Sequence, residues 1–189
     1  VAHGRREGAP QGDAGVFERF DTLVHGPESV WRQPTVEALF GLVAERHRHF
    51  NATIYQIEPD VKEAPGALRD VAAIRTFVAL TQPGTTRSVP ATSGRLVEAL
   101  DEAEEFFLRL RSLLHLENRR NLNVLSHDDQ EAVAERFGSP GGEARRQVEA
   151  LMSVYFHHAR IIARILAAAI TEANPPPGPG TTKSVGDNI

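Results

Sequence analysis

The stretch Arg95-Leu-Val-Glu-Ala-Leu-Asp-Glu-Ala-Glu-Glu-Phe-Phe-Leu-Arg-Leu-Arg-Ser-Leu-Leu114 decides the fold. Leu96, Val97, Leu100, Ala103, Phe107, Leu110 and Leu114 recur at three- and four-residue steps, with Phe106 and Leu113 widening the stripe. That period is helical, and a face this wide must be buried against other helices. A second long stripe lies downstream over about 143–173: Val148, Leu151, Met152, Tyr155, Ala159, Ile162, Leu166 and Ala169 are spaced close to the helical repeat. Two long helices with broad apolar faces call for a bundle.

Working outward, Pro34 and Thr35 open a helix to about residue 49, with Val36, Leu39, Phe40, Val43 and Ala44 on one face. After Pro65-Gly66, the residues Leu68, Val71, Ala72, Ile74, Arg75, Val78 and Ala79 predict a helix to about residue 80. Thr53-Ile-Tyr-Gln-Ile57 alternates and carries β-branched residues, so it reads as a short strand stopped by Pro59. Residues 82–93 are a loop, with Thr92 or Ser93 capping the long helix. The expected fold is all-α: a bundle of about five or six helices with at most one short strand. No repeat is visible, and the sheet of a βαβ nucleotide fold is missing. Residues 1–15 read as a flexible lead, 16–173 as the helical domain and 174–189 as a Pro/Gly-rich linker.

The 189 residues suit one domain with a sizeable core. A net charge of -4 gives no general attraction to nucleic acid, so no nucleic-acid partner is expected. The absence of cysteine removes disulfides, thiolate nucleophiles and sulfur-ligated zinc, which fits a cytoplasmic protein. The most apolar run, residues 161–170, is interrupted by Arg164 and is shorter than the roughly 20 residues a membrane span needs, so no membrane is expected. The start lacks an initiator Met and a signal-peptide pattern, which points to a piece of a longer protein.

His127-Asp128 has the form of a metal-ligand pair. Ser126 and Asp129, however, make the capping box of a helix that Gly138 and Pro140 end, so these residues already have structural work. A pair also cannot fill a coordination sphere, and no Asp occurs between Asp129 and Asp187. His157 and His158 are adjacent and His47 and His49 are two apart, so neither pair can chelate from one helix face. No metal site is expected, and no Gly-x-Ser-x-Gly elbow, Walker loop or catalytic triad is present.

The segment Ile57-Glu-Pro-Asp-Val-Lys-Glu-Ala-Pro-Gly-Ala-Leu-Arg-Asp70 is the least bland. A glycine turn opening a helix can leave backbone amides free for an anion, with Lys62 or Arg69 beside it. The same residues also read as a surface turn carrying an Arg-Asp pair. This segment resembles the Leu-Glu-Pro-Asp-x-Lys-x-x-x-Gly-Gly-Leu-Arg-Asp motif of the bacterial PII uridylyltransferase/uridylyl-removing enzymes. "FFLRLRSLLHLENRRNLNVLSHDDQEAVAERFG" and "VEALMSVYFHHARIIARI" are similar, in order, to the helices that follow it in that family.

The resemblance implies a helical middle region between a nucleotidyltransferase domain and a metal-dependent hydrolase, in enzymes that move UMP between UTP and the PII signal protein. It implies no cofactor in this segment, magnesium and UTP in the parent, and the upstream nucleotidyltransferase domain and PII as partners. On it, Lys62, Gly66, Arg69, Asp70, Arg109, Arg111 and Arg120 are candidates for facing a nucleotide cleft, with Asp70 orienting Arg69. Arg109 and Arg111, two apart, are expected to diverge. Ala67 stands where the family has a second Gly, and the Gly-Ser and Asp-x-Asp elements of nucleotidyl transfer are absent from residues 1–53, so the segment alone is expected to be catalytically silent. The alternatives are a stand-alone helical interaction module, or the equivalent region of a glutamine-synthetase adenylyltransferase or another nucleotidyltransferase.

Overall fold

The computed structural model describes residue 15 and residues 30–81, 94–137 and 143–174. Five helices occur among them: α1 (Arg32–Arg48), α2 (Leu68–Thr81), α3 (Gly94–Asn118), α4 (His127–Phe137) and α5 (Ala144–Ala173). The expected 1–15 lead, the 82–93 loop with its cap, the Gly138 and Pro140 stop and the tail beyond Asn174 fall on residues outside the described ones, Gly15 excepted.

α5 is the spine, packing along α2, α3 and α4 and more lightly on α1. It buries Leu151, Tyr155, Ala159, Ile162, Ile165, Leu166 and Ala169. These meet Leu100, Ala103, Phe107, Leu110 and Leu114 of α3, all fully buried as their spacing predicts. Burial of a Leu- or Phe-sized side chain stabilises by about 1.5–3 kcal/mol, so these two stripes dominate the core.

On α1, Val36, Phe40 and Val43 are buried, but Ala44 is exposed. Ala44 lies about 80° around the helix from Val36, past the edge of the contact with α2. α2 turns its face relative to the expectation: Ala73, Phe77, Val71, Ile74 and Val78 are buried while Ala72 and Ala79 face out. Phe77 has far more apolar surface to hide than an alanine, and it claims the interior beside Phe40 at 5.4 Å between ring centroids. Arg75 lies at the edge and ties α2 to α3 through Asp101 and Glu104, each 2.5 Å away.

The short strand expected at 53–57 is not formed. Side chains satisfy the loop locally: Gln56 Nε2 donates to the Phe50 carbonyl at 2.9 Å, and the Thr53 hydroxyl oxygen accepts from the Tyr55 amide at 3.1 Å. The extended pairing lies a few residues on, as an isolated antiparallel bridge between Asp60 and Val124. There the Val61 amide donates to the Asn123 carbonyl at 2.8 Å and the Leu125 amide to the Pro59 carbonyl at 2.9 Å. The turn before α2 is thereby stitched to the turn before α4.

Candidate functional site

The segment between Pro59 and Asp70 is held from beneath and charged on top. Asp60 Oδ1 accepts from the amides of Lys62 at 2.8 Å and Glu63 at 2.7 Å, closing the first turn. The Ala64 amide returns to the Asp60 carbonyl, Ala67 to Ala64, Arg69 to Lys62 and Asp70 to Ala67, and the Leu68 amide reaches the Val61 carbonyl at 3.5 Å. Gly66 N donates to Asp70 Oδ2 at 2.7 Å. Every backbone N–H from Val61 to Asp70 therefore has a partner within the chain, Pro65 having none to offer. The free amides that would cradle a phosphate are not available here, because the loop has used them on itself.

Gly66 is buried with φ +77, and a Cβ placed on it would lie 2.6 Å from the Ala159 carbonyl oxygen of α5. The glycine thus lets the turn touch a helix backbone, which no other residue allows. Ala67 is outside the left-handed region and fully buried, so the family's second glycine is not needed for this backbone path.

Asp70 is fully buried and points inward. It accepts from Arg46 at 2.6 Å, from His47 Nε2 at 2.9 and 3.0 Å and from the Gly66 amide. The expected pairing with Arg69 is replaced by one with the last turn of α1, since Arg69, one residue back on the helix, is turned about 100° away, toward solvent. Burial raises the Asp70 carboxyl's pKa, but the hydrogen bonds from His47, Arg46 and Gly66 outweigh it and hold it below the ordinary carboxylate range. Tyr155 of α5 lies fully buried, edge-on to Phe107 at 5.0 Å. Burial, with Asp60 and Asp70 nearby, pushes its phenol up, so it stays neutral.

Outward, Lys62 Nζ and Arg69 Nε both reach Glu63 Oε1, at 3.0 and 3.2 Å. Burial acts to raise the Glu63 carboxyl, but these two cations leave it lowered. The remaining arginines disperse as their spacing predicts: Arg109 lies 4.6 Å over the Phe137 ring, while Arg111 Nε donates to Asn123 Oδ1 at 2.8 Å. Through Asn123, Arg111 braces the strand-like bridge to the turn, whereas Arg120 is exposed and joins no cluster among the described residues.

At the His127-Asp128 pair, the Asp129 amide donates to Ser126 Oγ at 3.3 Å and the Ser126 hydroxyl donates to Asp129 Oδ2 at 2.5 Å. Glu58 Oε1 takes the His127 amide at 2.9 Å and Asn118 Nδ2 donates to Asp129 at 2.7 Å. His127 and Asp128 themselves are exposed, and no group of three His, Asp or Glu able to hold a metal comes together among the described residues.

The family model of the GlnD PII-uridylyltransferase matches residues 36–170, a span that includes the turn and runs from the first turns of α1 to the end of α5. The chain belongs to this family. The bifunctional uridylyltransferase/uridylyl-removing enzyme of Vibrio atlanticus (strain LGP32) is 33% identical over 160 residues, which is 82% of this chain and 18% of that protein. The enzyme of the same name from Burkholderia vietnamiensis (strain G4 / LMG 22486) is 32% identical over 163 residues, 84% of this chain and 19% of that protein. The chain thus spans about a fifth of the length of the curated relatives it matches. No solved structure matches it.

Within this family segment the sequence pattern pointed to Asp70 but not to the residues that hold it. Arg46 and His47 lie 24 and 23 positions away on another helix, and no local spacing links them to the turn. Asp60 was readable in principle, since an Asp two residues before an unpaired amide is the mark of an Asx turn.

Proposed function

We propose that the chain is the helical domain of a PII-uridylyltransferase-like nucleotidyltransferase, in which UMP passes from UTP to the PII signal protein in nitrogen regulation. In this reading the domain has no catalysis of its own; it packs on the nucleotidyltransferase portion and presents Lys62 and Arg69 to it. In this reading magnesium and UTP belong to that portion. The observation that carries the reading is the turn itself: two cations share one carboxylate on a segment whose backbone is wholly self-satisfied and clamped to α1 and α5. A rigid turn aims its charges with little ordering cost on docking. Arg69 keeps guanidinium donors beyond its Nε contact for a phosphate or carboxylate. Membership of the family over most of the chain supports the same assignment.

The test is a chimera in which this chain replaces the matching segment of the Vibrio atlanticus enzyme. Arg69→Ala is expected to lower UMP transfer to PII by about tenfold, the size of one lost charge-assisted contact. Transfer unchanged in a folded Arg69→Ala chimera would remove the turn from the function.

A further inference from the structure

α1 carries a second stripe beside its core face. Leu39, Leu42 and Arg46 follow at three- and four-residue steps and line one wall of a groove whose other wall is α2. Val43 and Ala73 form the floor, and the groove holds about 300 Å³, the small end of what accepts a ligand group or a large side chain. Leu42 is 66% exposed, a large apolar side chain left to water in the middle of a helix. At one end the groove runs into the charged turn: Arg46 is committed to Asp70 and the Glu63 carbonyl, while Arg69, 55% exposed, lies at the mouth.

The lining therefore changes from apolar to cationic along its length. Among the described residues, Arg69 at the mouth and Lys62 just beside it share Glu63 as their carboxylate partner, two cations to one anion. An occupant that complements both ends carries an apolar side chain with a carboxylate beside it. We propose that the α1–α2 groove receives such a segment from the nucleotidyltransferase portion of the family's enzymes, its apolar side chain against Leu39 and Leu42 and its carboxylate on Arg69. This rests on the domain reading above and adds to it the location and chemistry of the contact. Continuity of the groove with the turn makes the two one surface.

The test uses the same chimera and the unaltered 189-residue chain. Leu42→Asp is expected to lower UMP transfer about tenfold in the chimera. In the chain alone it is expected to lower the unfolding midpoint only by the small helix-propensity cost of Asp in the middle of α1, because Leu42 faces solvent there. Leu42→Met, which keeps an apolar side chain, is expected to retain transfer. If Leu42→Asp transfers UMP at the unsubstituted rate while Arg69→Ala does not, the groove is not the contact and the turn reading stands. If neither changes transfer, or if the folded chimera without substitutions transfers none, both readings fall. A Leu42→Asp chain that unfolds by itself would place Leu42 in the core and overturn the groove as well.

Discussion

Gly66 shows how much one residue decides here. Its left-handed φ and the 2.6 Å approach that a Cβ would make to the Ala159 carbonyl are independent penalties, and a helix backbone cannot move aside as a side chain can. Gly66→Ala is expected to destabilise the chain by at least about 2 kcal/mol, read as a lower urea midpoint with an unchanged slope. A midpoint within experimental scatter of the parent would mean that the turn can lift off α5. The glycine was visible in the sequence and its turn was expected. Its purpose was not, because contact with a helix some ninety positions on leaves no local trace and a phosphate cradle explains the same Pro-Gly pattern.

At the scale of elements, the sequence was most informative where one face meets one core. The centres of the α3 and α5 stripes are buried as predicted, with Leu96 exposed at one end and Val97, Phe106, Leu113, Val148 and Met152 half-buried, whereas α2, packed by α1, α3 and α5, turns its buried face toward Phe77 and Ala73 and away from Ala72 and Ala79. Caps were legible for a different reason: they are local. Ser126 and Asp129 close the first turn of α4 through contacts within four residues, and Glu58 completes the end by taking the His127 amide. Ser126→Ala is expected to cost about 1 kcal/mol in thermal or urea unfolding. His127→Ala, which keeps its backbone N–H and removes only an exposed ring, is expected to stay within about 0.5 kcal/mol. Equal and large losses from both would point to work done by the imidazole that the cap does not explain. The failed strand at 53–57 belongs here too, since alternation predicts extension only where a neighbouring strand exists to take the amides.

Across the whole molecule, the charged clamp links three helices that the hydrophobic stripes alone leave adjustable. Arg46 and His47 end α1, Asp70 begins α2, and the glycine it holds rests on α5, so one buried carboxylate fixes how these elements meet. Such a group makes stability depend on pH with a definite sign. Burial alone would raise Asp70, but His47, Arg46 and the Gly66 amide lower it below its ordinary value of 3.8. A carboxyl lowered on folding stabilises the native state fully above its unfolded pKa, and that contribution is lost as pH falls toward the folded value. Acidification from pH 6 should therefore weaken the chain chiefly below 3.8, with Glu63, also lowered, adding to the loss. The carboxyl carbon of Asp70, followed by NMR, is expected to titrate below 3.8 while the protein is folded, and Asp70→Asn is expected to flatten the acid limb of the stability curve. A midpoint above 3.8 would mean that burial outweighs the three donors, and the contact among α1, α2 and α5 would then have to be held by packing alone.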